Sequence, residues 1–204
     1  MSKRKNPYTG DARTRAAKQQ GYPARSVFKL DEIDKRVRLL EPGQRVLDLG
    51  AAPGSWSLYA SGRVGPRGKV VAVDLNELGQ RFAPNVVMLT GDARELGAAL
   101  GEHGPFDVVL SDMAPSTTGN KLLDQSRSFE LFMTALELAR ALGGPGSHFV
   151  AKLFMSAEFG ELKRAISARY AECRVVRPEA TRSQSSEVFL VGLGLESAEA
   201  PAAP

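Results

Sequence analysis

Six residues stand out because their types and places could do chemistry together. Asp48, Asp74, Asp92 and Asp112 each fall at or near the end of a successive apolar run, and Lys152 lies inside another. Glu187 opens the last such run. One acid after a strand is ordinary and usually caps the next helix. Four in series point to a ligand that presents hydroxyls, an amine or a positive charge. A lysine within an apolar strand must be accounted for, because burying an unpaired ammonium is costly. Two accounts are open for Lys152: a structural pair with Asp112, or a reactive amine that Asp112 orients.

Between Asp48 and Ser57 runs the segment Asp48-Leu49-Gly50-Ala51-Ala52-Pro53-Gly54-Ser55-Trp56-Ser57. Gly50 and Gly54 let the chain turn tightly and approach a ligand, and the helix that follows offers unpaired N–H groups at its start. The spacing is not G-x-G-x-x-G, since Ala52 and Pro53 stand where a dinucleotide site needs room for a pyrophosphate. A nicotinamide dehydrogenase is thereby disfavoured. Asp74 is placed to accept from both hydroxyls of a ribose, and Asp92 from an adenine amino group. An acid-lined rim with no lysine in the glycine loop suits S-adenosylmethionine, which carries a sulfonium and an amine rather than phosphates. Trp56 is either core or a wall of the cofactor cleft.

The elements that must position these residues follow from the pattern of apolar runs. Seven strands are predicted, at Arg45–Leu49, Lys69–Val73, Val86–Leu89, Phe106–Leu110, Ser147–Leu153, Arg174–Val176 and Glu187–Leu193. Helical patterns cover Ser26–Leu40, Ser55–Gly62, Ala93–Gly101, Ser126–Leu142 and Phe159–Tyr170. Alternation of the two predicts an α/β fold, Rossmann-like, with a seven-stranded, mostly parallel sheet and helices on both faces. In such sheets ligands bind beyond the carboxyl ends of the strands, where the strand order reverses.

The chain of 204 residues suits one domain. One cysteine, Cys173, excludes an internal disulfide, and two histidines, His103 and His148, leave no Cys/His cluster with zinc spacing. No apolar run reaches the ~20 residues of a membrane span, so a cytoplasmic protein is expected. Met1 to Leu30 holds eight basic residues and one acid, a net of +7 where the whole chain carries +4, so the remainder carries −3. Residues 1–22 are expected to form a basic, partly flexible arm, 23–195 the catalytic domain and 196–204 a disordered tail. Tyr8, Tyr22 and Phe28 among the cations favour nucleic acid over simple solvation.

From Tyr22 to Leu193 the chain resembles the FtsJ-type ribosomal RNA 2′-O-methyltransferases, a class I methyltransferase family acting on the large-subunit (23S) RNA. The resemblance is carried by Ala24-Arg25-Ser26-Val27-Phe28-Lys29-Leu30-Asp31-Glu32-Ile33, by Asp48 to Ser57, by Ser111 to Pro115, by Ala151-Lys152 and by Ser186-Glu187-Val188. It implies a Lys–Asp–Lys–Glu tetrad at Lys29, Asp112, Lys152 and Glu187. It also implies S-adenosylmethionine contacts at Gly54, Trp56, Asp74, Asp92 and Asp112. The family often has a second glycine where Ser55 stands, and Asn76 to Ala83 is short and divergent.

Such a tetrad is chemically sensible. A ribose 2′-hydroxyl is a weak acid, so methyl transfer to it needs a base and stabilisation of the developing oxyanion. Lys152 is expected to act as base with Asp112 orienting it, Lys29 to hold the hydroxyl oxygen, and Glu187 to position a lysine or the ribose. The resemblance implies a uridine in ribosomal RNA as the substrate, and a monomer that needs no metal is expected. Related enzymes of transfer RNA or the messenger cap, and a binding module without catalysis, are the rival readings.

Overall fold

The computed structural model describes residues 12–116, 118–181 and 185–197. Seven strands form one sheet in the order β3-β2-β1-β4-β5-β7-β6. They are β1 (Arg45–Leu49), β2 (Lys69–Asp74), β3 (Val86–Thr90), β4 (Phe106–Ser111), β5 (Gly143–Phe154), β6 (Tyr170–Val176) and β7 (Glu187–Leu195). β7 alone runs antiparallel to its neighbours β5 and β6. The order reverses between β1 and β4, which are paired in parallel, so the crevice beyond Leu49 and Ser111 is the switch point.

Side chains alternate across each strand, and the alternation sorts the core into two layers. Leu47, Leu49, Val109, Ala151 and Leu190 face one side, covered by α5 (Lys121–Leu142) and α6 (Phe159–Ser167). Val46, Val108, Leu110, Val150, Phe189 and Val191 face the other, under α2 (Val27–Val37) and α3 (Ser55–Val64). Leu30 and Ile33 of α2 and Trp56, Ala60 and Val64 of α3 fill that second layer.

α2 ends three residues before the predicted boundary. Arg38 adopts a left-handed conformation, and the Asp34 carboxylate accepts the N–H groups of Leu39 and Leu40. The other Asp34 oxygen accepts from Tyr59 Oη and Arg63 Nε of α3, each at 2.9 Å. Asp34 is buried, so this set of bonds both closes α2 and fastens it to α3.

Other boundaries differ in instructive ways. α5 starts at Lys121 because Asn120 caps it, accepting from the N–H groups of Leu122 and Leu123. The Gly143-Gly144-Pro145-Gly146 stretch does stop α5, but β5 begins there rather than at Ser147. Only α4 (Gly97–Gly101) forms from the helical pattern at Ala93–Gly101, since Arg94 bonds back to Asp92 in the preceding turn. Within the span expected to be an arm, α1 (Ala12–Gln19) is a helix with Ala17 buried. Residues 1–11, Tyr8 among them, and most of the expected tail, 198–204, lie outside the described residues.

Candidate active site

The glycine loop turns out of β1 into α3 at the switch point. Gly50 N–H and Ala51 N–H both donate to Val73 O, which holds the loop against β2. Gly50 has φ +74°, and a Cβ there would lie 2.7 Å from Met113 Cγ and 2.9 Å from Met113 Cα. Only glycine lets the β1 and β4 ends approach this closely. Gly54 has φ +103°, and a Cβ there would lie 2.9 Å from the Phe82 ring, so the divergent Asn76–Ala83 segment folds against this loop.

Beyond the strand ends lies a cleft of about 520 Å³, within the range of small-molecule sites. Gly50, Asp74, Asp92, Asp112 and Lys152 are among the residues that line it. The cleft thus gathers three of the five residues expected to contact a cofactor. Asp74 accepts Ala52 N–H on one carboxylate oxygen and Asn76 N–H and Nδ2 on the other. One lone pair remains on the oxygen that Ala52 bonds, and a second hydroxyl donor would have to displace the Asn76 side chain.

Asp92 is engaged as well, by Arg94. Its two oxygens accept from Arg94 N, Nε and Nη2, and the guanidinium holds the carboxyl well below the usual range, at about 2. Arg94, which no sequence motif singles out, therefore sits in the wall of the cleft; an amino donor to Asp92 must share the carboxylate with it.

Trp56 and Gly54 are not among the lining residues. Trp56 is buried in the layer beneath α2, its ring 5.8 Å from that of Phe189, and its Nε1–H donates to Ser26 O. Of the two places open to this side chain, the core is the one it takes, because the indole N–H finds a partner there. Ser55, where a second glycine is common, accepts Ala24 N–H and donates to Ala24 O, tying the approach to α2 onto the start of α3. Neither its burial nor its two hydrogen bonds give a signal in sequence.

Asp48 faces the α3 layer from β1. It is fully buried, with Ser57 Oγ donating to one oxygen and no partner within the structure for the other. Burial first, then the nearby charges of Asp112 and Asp74, push its carboxyl up to about 7.

Four charged side chains meet beside the cleft in two close pairs. Lys152 Nζ donates to Asp112 Oδ1 at 2.7 Å and to Asp112 O. Lys29 Nζ contacts Glu187 Oε1 at 2.6 Å and lies 5.9 Å from the centroid of the Phe189 ring. Phe189 is the cross-strand partner of Lys152, and Glu187 that of Phe154. Lys152 and Glu187 are therefore diagonal neighbours on the face that α2 covers. Lys152 and Glu187 are 9% and 7% exposed, so each ion depends on its partner. Among the described residues, no three His, Cys, Asp or Glu side chains are grouped as a metal site requires. No helix among them is long and apolar enough to cross a membrane.

A doubly wound sheet with an acid-lined cleft at its switch point is the architecture of the Rossmann-like class, in which ligands bind beyond the strand ends. The FtsJ-like methyltransferase family model matches residues 22–195, and the chain belongs to that family. It is 58% identical over 198 residues to ribosomal RNA large subunit methyltransferase E of Sorangium cellulosum, covering 96% of this chain and 93% of that protein. The protein of the same name from Syntrophobacter fumaroxidans is 53% identical over 182 residues, 88% of this chain and 92% of its own. Among solved structures, a putative ribosomal RNA methyltransferase from Plasmodium falciparum shares the fold with a TM-score of 0.75 at 23% identity, over 87% of this chain and 100% of that one. Fibrillarin of Aeropyrum pernix, solved with bound S-adenosyl-L-methionine, shares it with a TM-score of 0.59 at 18% identity, over 82% of this chain and 76% of that one.

Proposed function

We propose that this protein methylates a ribose 2′-hydroxyl in RNA, at a uridine of the large-subunit (23S) ribosomal RNA, using S-adenosylmethionine and the tetrad Lys29, Asp112, Lys152 and Glu187. The observation that carries the reading is that Lys152 and Glu187 are diagonal neighbours across β5 and β7, each in a close ion pair, with Asp112 and Lys152 lining the cleft. The names of the relatives support ribosomal RNA as the substrate.

The cleft fits the methyl donor. Carboxylates of Asp74, Asp92 and Asp112 line it, which suits hydroxyls, an amine and a sulfonium, and it has no glycine-loop lysine for a phosphate. Asp74 would take the ribose hydroxyls, Asp92 the adenine amine beside Arg94, and Asp112 the positive end. The closeness of Gly50 to Met113 brings loop backbone to the same place. When bound there, the donor supplies an electrophilic methyl group.

The chain's own residues do the rest. Lys152, held on Asp112, would act as the neutral amine and take the hydroxyl proton, becoming the ammonium as the oxygen bonds the methyl carbon and the thioether leaves. Lys29 sets a positive charge where the oxygen develops negative charge, and Glu187 fixes that ammonium in place. Holding acceptor and donor in line supplies much of the remaining rate through positioning. RNA is selected over DNA because only RNA carries the accepting hydroxyl. The reading takes the protein to act as a cytoplasmic monomer.

The test is to treat ribosomal RNA and large subunits with pure protein and S-adenosylmethionine, then map the methylated positions. A single 2′-O-methyluridine is expected. Methylation of a base atom, or of transfer RNA in preference, would replace this reading.

A further inference from the structure

Glu187 has a second neighbour that the tetrad does not include. Its Oε1, which meets Lys29 Nζ at 2.6 Å, also accepts a hydrogen bond from Thr181 Oγ1 at 3.4 Å. Thr181 closes a turn over residues 178–181, its N–H donating to Pro178 O at 2.9 Å.

That turn is gripped by its backbone from α1, from α2 and from the link between them. Glu179 N–H donates to both carboxylate oxygens of Glu32, at 3.1 and 2.8 Å. Arg13 donates to Glu179 O, and Arg25 Nη2 to Ala180 O at 3.3 Å. Glu32 itself is paired with Arg36 one turn along α2. Lys29 and Glu32 are three residues apart, so one side of α2 presents both. The helix thus sets the lysine on Glu187 and, with Glu32, sets the turn from which Thr181 reaches the same oxygen. Two donors approach Glu187 from different elements, and α2 registers both.

We propose that Thr181 is a positioning residue, holding Glu187 in the rotamer that meets Lys29, and that α1 and α2 act on catalysis through the 178–181 turn. A carboxylate held by a lysine alone can swing with that long, flexible side chain. A second donor from a short β-branched residue limits the swing, because Thr χ1 is stiff and its turn is anchored at both carbonyls and at an N–H. The inference rests on the reading of Glu187 and Lys29 as part of the reaction machinery.

The experiment is single-turnover methyl transfer to large-subunit ribosomal RNA by Thr181→Val, Thr181→Ser, Glu187→Gln, Glu187→Ala and the Thr181→Val/Glu187→Ala double variant, with S-adenosylmethionine binding measured for each. Thr181→Val should lose about three- to tenfold in rate at saturating RNA, the scale of one hydrogen bond, with KM for RNA changed by less than about twofold. Thr181→Ser should restore the rate. In the Glu187→Ala background, where no acceptor is left for the threonine, Thr181→Val should add no further loss, because the two act as one unit. Thr181→Val at the wild-type rate, a serine variant that rescues nothing, or losses that multiply in the double variant would each overturn the proposal. A Glu187→Gln enzyme as fast as wild type would instead remove the reading of Glu187 on which the proposal stands.

Discussion

Lys152 and Glu187 lie diagonally across the β5–β7 pair, Glu187 two residues before the Phe189 that faces Lys152. Diagonal neighbours on one face of an antiparallel pair stand ~7–8 Å apart, within reach of long side chains. β7 alone runs antiparallel to its neighbours, so its first residue, not its last, arrives at the carboxyl end of β5. A parallel β7 would place Glu187 at the far end of the sheet, away from the cleft. The arrangement has measurable consequences.

Lys152→Ala should fold and bind S-adenosylmethionine while losing about 10²–10⁴-fold in methyl transfer, the range of a general base. The check is a single-turnover assay beside calorimetric titration of the cofactor. Turnover within tenfold of wild type would take Lys152 out of that role.

Removing Lys29 should cost stability as well as activity, since Glu187 is 7% exposed and would be left charged without its main partner. Breaking such a pair costs ~3 kcal/mol. Lys29→Met should therefore lower the urea midpoint, and Lys29→Met/Glu187→Gln should recover part of that loss while remaining inactive. Equal midpoints for Lys29→Met and wild type would mean the pair contributes nothing to folding.

Asp48 should make the protein less stable as pH rises. Its carboxyl ionises near 3.8 in the unfolded chain and at about 7 in the folded one. Between those values the folded state holds a proton that the unfolded state has released, so stability is greatest below the lower value and falls until the upper one is passed. The full span is on the order of 4 kcal/mol at ~1.4 kcal/mol per unit. Asp48→Asn should flatten this part of the profile in denaturant melts from pH 4 to pH 8, and an unchanged slope would refute it.

Gly50→Ala should weaken cofactor binding and lower the melting temperature together. The left-handed φ of +74° alone costs a β-carbon ~1–3 kcal/mol, and the added atom would also overlap Met113. Thermal shift with and without S-adenosylmethionine reads both effects.

Replacing Lys3, Arg4 and Lys5 by alanine should flatten the salt dependence of RNA binding, by up to ~0.7 in the log–log slope for each single-strand phosphate that is no longer neutralised. The same slope before and after would show these cations idle.

Much of this protein is legible from its sequence because its signals are local. Short apolar runs and the stops between them are properties of neighbouring residues, and β1 at Arg45–Leu49 matches its predicted bounds. Glycine at 50 and acids after successive strands mark the switch-point cleft for the same reason, and strand parity alone assigns Asp48 to the face shared by Val46. What folding in three dimensions decided is who meets whom. Trp56 went to the core because an acceptor, Ser26 O, was waiting thirty residues away in the chain. Ser55 claimed Ala24, and Lys29 found Glu187 across 158 positions. Such partnerships depend on the docking of α2 over β5 and β7, a choice made by summed burial of Leu30, Ile33 and Phe189 rather than by any short stretch of residues.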